Sequence, residues 1–191
     1  MAEAKRKKRF FEVDMPIIQK QAQLLAYEPE EIEGRTIKFD LTRLLKGKNV
    51  LIYLKVRKEG KEFVAHPAKM EIIHSSLGRV VRKGTDYVED SFVADCKDAQ
   101  LKIKPFMITR RKVHNSIRRA LKNKAREELI QYVKDKDTEN IFEDLIRNQL
   151  QKTLSLSLKK IYPLSACEIR ILEVKRAVAA VAPENKTEQA E

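Results

Sequence analysis

FVADCKDAQLKIKPFM, residues 92–107, runs directly into ITRRKVHNSIRRALKNKAREELI, residues 108–130, and the class of fold turns on how this pair of segments is read. Phe92, Ala94 and Cys96 alternate with polar residues, and so do Leu101, Ile103, Pro105 and Met107 after the polar turn KDAQ, which predicts a β-hairpin. The period then changes. Val113, Ile117, Ala120 and Leu121 recur at three- and four-residue steps on one side of a predicted helix over 112–134, while Lys112, Asn115, Arg119, Lys122 and Arg126 stack along the other. That cationic edge is on the order of 20 Å long at 1.5 Å per residue. Antiparallel strands followed by a helix place the chain in the α+β class.

Working toward the C-terminus, Asp137 or Thr138 can cap a second helix whose apolar side is Ile141, Phe142, Leu145, Ile146 and Leu150. LSLSLKKIYP reads either as a strand (Leu154, Leu156, Leu158) or as a helix stopped near Pro163 (Leu154, Leu158, Ile161), the helix being favoured. Cys167, Ile169 and Ile171 mark a final strand. Working toward the N-terminus, residues 67–83 carry a helical spacing through Met70, Ile73, Leu77 and Val80 or Val81, with Pro67 suited to a first turn. Phe63–Ala65 is a short strand ending before that proline. Two further strands are predicted, one through Ile37, Phe39 and Leu41 and one through Val50, Ile52, Leu54 and Val56. Residues 16–34 show no clean period and read as irregular chain.

The expected architecture is therefore a mostly antiparallel sheet or partial barrel packed with about three to four helices. Residues 1–34 form a basic arm and irregular segment, 35–176 an α+β globular domain, and 177–191 a disordered tail with nothing to pack. KRKKR at 5–9 repels itself and orders only against an anion.

Charge narrows the function. The 191 residues hold 40 Lys and Arg against 28 Asp and Glu, a net +12. Residues 108–130 contain eight cations against two glutamates, a net +6 that is half the total. No carboxylate interrupts 108–126, so these cations are expected to lack intrahelical partners. Such a balance favours a polyanion, with nucleic acid ahead of membrane or acidic protein. There is no Trp, no aromatic RNA-recognition motif, no GxxG loop and no zinc-finger spacing, so the expected mode is phosphate and shape recognition of folded RNA. The expected contacts are Lys5, Arg6, Lys7, Lys8 and Arg9 in the arm; Arg110, Arg111 and Lys112; and Asn115, Arg118, Arg119, Lys122 and Arg126.

Catalysis is not expected. His66, His74 and His114 are scattered, and no metalloprotease, nucleotide-loop, serine-hydrolase or CxxC motif occurs. Asp86, Glu89, Asp90, Asp95 and Asp98 could hold Mg²⁺ only if they converged, and they read instead as strand ends and turns facing solvent. No cofactor or metal is expected. Cys96 and Cys167 have no ligand or disulfide spacing and read as reduced core thiols of a cytoplasmic protein. No signal peptide or run of 18 apolar residues is present, so neither secretion nor membrane spanning is expected.

Four blocks, taken in order, resemble a known family. These are KKRFFEV with Pro16, PEEIEGRTIKFDL, ITRRKVHNSIRRA and IYPLSACEIRILEVKR. The chain is similar across residues 5–176 to the archaeal and eukaryotic small-subunit ribosomal S-three-a-e family, in an archaeal-like form. That resemblance implies a structural constituent of the small ribosomal subunit acting in translation. It implies a seat on the platform near the mRNA exit, in contact with small-subunit rRNA and neighbouring ribosomal proteins, with mRNA close by. It implies rRNA contacts at Arg110, Arg111, Lys112, Asn115, Arg118 and Arg119. A free-standing RNA-binding or ribosome-assembly factor would share the same charge pattern.

Overall fold

The computed structural model describes residues 7–45, 48–60 and 62–177. Its nine strands form one open, mostly antiparallel sheet. β1 (Arg9–Met15) and β2 (Lys20–Ala26) make an N-terminal hairpin across a 3-10 turn, Pro16–Ile18. β3 (Thr36–Asp40) follows Gly34, whose φ of 79° suits a residue without a side chain at the turn into the strand. β4 (Val50–Glu59) and β5 (Glu62–Ile72) form a long hairpin, and α1 (His74–Val80) is a short helix. β6 (Tyr87–Glu89), β7 (Phe92–Asp95) and β8 (Ala99–Thr109) come next. α2 (Asn115–Lys134), α3 (Thr138–Ile146) and α4 (Gln149–Lys159) then precede β9 (Leu164–Ala177).

The hairpin 92–107, the helix after it, the helix after Thr138 and the last strand all form where periodicity places them. So do the strands at 36–40 and 50–56, and the LSLSL segment is helical. One expected helix is two: Asn148 adopts a left-handed φ of 57°, so Leu150 belongs to α4 and not to α3.

Three expectations fail. Residues 67–72 are strand, not helix, because β5 continues through Pro67 and leaves only His74–Val80 helical. A proline is tolerated there for a topological reason. β4 pairs along one edge of β5, whereas on the other edge β1 meets only Phe63 and Val64, and β9 meets only Lys69, Met70 and Glu71. Pro67 falls in the gap between them, beside a register shift at Tyr53/Leu54, where no second ladder asks for its missing N–H. Residues 20–26, expected to be irregular, are β2. Arg9, expected in a free arm, opens β1 opposite Ala26. Lys5, Arg6 and residues 178–191, the bulk of the expected tail, lie outside the described residues.

β8 is the hub. It pairs with β9 along its whole length and with β6 and β7 on its other edge. Leu101, Ile103 and Met107 face the main core, where Leu121, Ala125, Leu129 and Val133 of α2 meet Ile141, Phe142 and Leu145 of α3 and Leu150, Leu154 and Leu158 of α4. Phe106 and Ile108 face the opposite side and are covered by Leu77 of α1. Two-sided cover explains why the end of β8 is apolar at successive positions. Cys96 and Cys167 are buried free thiols, and burial pushes the Cys167 thiol up to about 12.

A polar cluster closes the α2–α3 corner. Tyr132 donates to Asp144 Oδ2 at 2.8 Å, Lys136 Nζ donates to the same oxygen, and the Lys136 ammonium lies 3.9 Å from the Tyr132 ring centroid. Burial opposes ionisation of Asp144, but the hydrogen bonds from Lys136 and Tyr132 outweigh it and hold the carboxyl below its ordinary 3.8. A depressed carboxyl stabilises the fold above its unfolded value, and that contribution is lost as pH falls through the folded value. Asp144→Asn should therefore cost ~1 kcal/mol at pH 7 in urea unfolding, the figure reflecting partial exposure. The gap to wild type should close below pH 3.8; a pH-independent gap would show that the charge of Asp144 contributes nothing.

Candidate nucleic-acid interface

β8 ends at Thr109, which is fully buried although polar. Its N–H donates to the Asp86 carbonyl at 2.9 Å, and its hydroxyl accepts the Asp86 N–H at 3.1 Å. The same hydroxyl lies 2.7 Å from the Arg111 carbonyl, within donating distance. The Asp86 carboxylate accepts the Val113 N–H at 2.9 Å. Asp86, just ahead of β6, thus clamps the chain on both sides of the turn 110–112. Arg110, Arg111 and Lys112 stand on that turn, all exposed.

α2 starts immediately afterwards. His114 occupies the N-cap position without a side-chain cap bond, and no acidic residue lies in the first turn. The N–H groups of Asn115 and Ser116 have no intrahelical acceptor, and the aligned peptide dipoles leave partial positive charge there. Arg118 reaches back to donate to Asn115 Oδ1, while Arg119 is exposed. Arg110, Arg111, Lys112 and Arg119 make no ion pair among the described residues.

The structure narrows the expected cationic edge. Lys112 precedes the helix and does not stack on it. Lys122 pairs with Asp90 at 3.1 Å, the Asp90 side chain being 7% exposed. The Arg126 guanidinium packs 5.3 Å over the Phe92 ring of β7. Lys124 is not without helical partners: it reaches forward to Glu127 at 3.6 Å and Glu128 at 3.3 Å, and the hydrogen bond to Glu128 raises its pKa. Ala120, expected on the packed side, is exposed; the buried stripe is Leu121, Ala125, Leu129 and Val133. Uncompensated charge therefore gathers at the turn and the first two turns of α2.

Lys7, Lys8 and Arg9 are exposed at the far end of the sheet, Lys8 lying 5.2 Å over the Tyr27 ring. β5, β9 and β8 separate that hairpin from β6, so the arm and the α2 turn are two basic sites, not one. The carboxylates between 86 and 98 do not converge. Asp86 holds Val113, Glu89 pairs with Arg170, Asp90 with Lys122, and Asp95 accepts from Gln100. Among the described residues no group of histidine, cysteine or carboxylate side chains could hold a metal ion. No helix among the described residues is long and apolar enough to cross a membrane.

Two groups escaped sequence reading. Thr109 continues the apolar face of β8 as a polar residue, which is the one visible hint of a clamp. Tyr87 sits in a three-residue strand too short to show a period. It is 55% exposed and stacks on Phe106, with ring centroids 5.8 Å apart. It lines a groove of about 380 Å³ together with Asn115, Arg118, Arg119 and Lys122 of α2.

The class the fold defines is an antiparallel-sheet protein packed with helices, whose α2 presents an uncompensated cationic end suited to a polyanion. Comparison with known proteins narrows the class: residues 1–177 match the Ribosomal S3Ae family model, and the chain belongs to that family. It is similar to the small ribosomal subunit protein eS1 of Nanoarchaeum equitans, with 26% identity over 83% of this chain and 84% of that one. It is likewise similar to the eS1 proteins of Halorubrum lacusprofundi (26% identity; 98% and 91% covered) and Haloarcula marismortui (28%; 85% and 78%). The chain is thus an archaeal-type ribosomal protein with a structural role in translation on the cytoplasmic ribosome, not an enzyme.

The clamp generates a test. Asp86→Ala strips the Val113 N–H of its acceptor and should cost on the order of 1–2 kcal/mol in urea unfolding. Asp86→Asn keeps an amide oxygen in place and should cost less. Wild-type stability in the alanine variant would mean that the carboxylate does not hold the turn.

Proposed function

We propose that this chain is a structural constituent of the small ribosomal subunit and binds its rRNA through the turn 110–112 and the start of α2. Arg110, Arg111, Lys112 and Arg119 would take phosphates, and Asn115 with Arg118 would add directed hydrogen bonds. The observation that carries the reading is the concentration of cations without partners from their own chain at an uncapped helix N-terminus, where backbone N–H groups and dipole also favour an anion. The names of the curated relatives support the choice of subunit.

Lys122 and Arg126 join the site as secondary contacts, since each is already engaged with its own fold and offers only its remaining N–H groups. The N-terminal arm, Lys5, Arg6, Lys7, Lys8 and Arg9, is a second rRNA contact at the opposite end of the sheet. The two sites lie far enough apart to grip separate rRNA segments or an rRNA segment on each side of a neighbouring ribosomal protein. The family resemblance supports a seat on the platform near the mRNA exit, with mRNA passing close by.

Phosphate contacts release counterions, so the logarithm of the affinity for rRNA fragments should fall linearly with log salt. Arg119→Glu should weaken binding across unrelated rRNA sequences and lower the slope by about one. It should leave unfolding free energy within about 0.5 kcal/mol of wild type, because Arg119 is exposed. On sucrose gradients the wild-type chain should co-migrate with mature small subunits and the variant should be depleted from them. Sedimentation with precursors alone would mark an assembly factor, and a salt-independent affinity would rule out phosphate neutralisation.

A further inference from the structure

We infer that the open edge of β9 receives an extended peptide segment of a neighbouring protein in the small subunit, which adds to the sheet as a further strand beside α4. The inference rests on the chain's place in the small subunit, and it is independent of the phosphate contacts at α2.

The two edges of β9 are unequally covered. β8 pairs with one along its whole length, whereas β5 reaches the other only at Ile171, Leu172 and Glu173. Residues 164–170 therefore have no strand on that side among the described residues, a stretch roughly 20 Å long at 3.3 Å per residue. Which groups face it follows from the ladder. The Thr109 N–H and the Pro105 carbonyl bond toward β6, to Asp86 and Asp90, so Phe106 and Ile108 turn toward β9. Their partners Glu168 and Ala166 face β8 in return, which leaves the N–H and C=O of Cys167 directed at the open edge. Unpaired edge groups are a template for another strand, and an extended peptide is the ligand whose backbone matches them.

This edge lines a groove of about 580 Å³ whose other wall is α4, with Gln151, Lys152, Ser155 and Leu156. Three of those side chains define the chemistry of the occupant. Gln151 is 8% exposed; its amide N–H donates to the Leu145 carbonyl at 3.1 Å, but its Oε1 has no partner. A buried acceptor left unbonded is costly, so the groove calls for a donor, which a peptide N–H supplies and a phosphate oxygen does not. Leu156 is 68% exposed and offers an apolar contact. Lys152 is exposed and makes no ion pair among the described residues, while Lys48 is held by Glu168 at 2.6 Å and Arg147 by Glu143 at 3.0 Å. A donor, an apolar side chain and a carboxylate together describe a polypeptide. An RNA backbone would answer Lys152 alone.

Amide exchange tests the edge on the full chain and on purified small subunits. The Cys167 N–H should exchange rapidly in the free chain and at least ~tenfold more slowly in the subunit. Ala166 and Glu168, paired to β8, should be protected in both. A benzophenone side chain placed at position 156 should crosslink within the subunit to another polypeptide. Leu156→Asp, at an exposed position, should leave urea unfolding and rRNA-fragment affinity at wild-type values. Co-expressed with wild type, it should be outcompeted in purified subunits about tenfold, the loss of one buried leucine contact. Rapid Cys167 exchange in the subunit overturns the inference, as does protection already present in the free chain. A crosslink to rRNA makes the groove a further RNA contact, and a crosslink to a second copy makes it an interface between copies; either overturns the inference too. Equal incorporation of Leu156→Asp also counts against it. Each of these failures leaves the phosphate reading standing, because that reading is tested by rRNA affinity and its salt dependence.

Discussion

The charged side of the molecule depends on the hydrogen bonds that tie Thr109 and Val113 to Asp86. Cations on a loose loop repel one another and spread, whereas here the ladder between β8 and β9 sets where Thr109 stops, and Asp86 sets how the chain leaves it. Burying a hydroxyl costs free energy unless it is bonded, and the Thr109 hydroxyl is bonded to both Asp86 and Arg111. The turn 110–112 is therefore presented by the most heavily paired strand of the sheet. Its arginines are held at a spacing they would not choose in isolation, and that preorganisation removes part of the ordering cost of binding.

A protein that concentrates +6 within 23 residues has two ways to tolerate it, and this one divides the segment between them. Toward the C-terminal half, the fold answers the charge itself: Asp90 takes Lys122, Phe92 takes Arg126, and Glu127 with Glu128 takes Lys124. Toward the N-terminal half it does not, and the helix dipole adds to the excess. Such exposed repulsion costs little in salt solution, because screening limits it to about a Debye length, ~8 Å at physiological ionic strength. Against a phosphate chain the same charges become attractive. The boundary between the two halves, near Lys122, marks where packing ends and recognition begins.

Much of this was legible in the residues. The 92–107 hairpin, α2, α3 and β9 follow from period alone, because each buries one face and exposes the other. Failures came where period and topology disagree. Residues 67–72 carry a helical spacing by accident, and the absence of a second ladder partner at Pro67, which no local pattern records, lets β5 run on. β2 alternates only weakly because two of its inward residues, Ala22 and Ala26, are small and an apolar residue, Leu25, faces outward, and its pairing with β1 supplies what its composition does not. The cationic segment was visible as composition, but which of its charges are already matched was not. Asp90 lies 32 positions before Lys122, and Phe92 lies 34 before Arg126. Contacts at that range are set by the strand order.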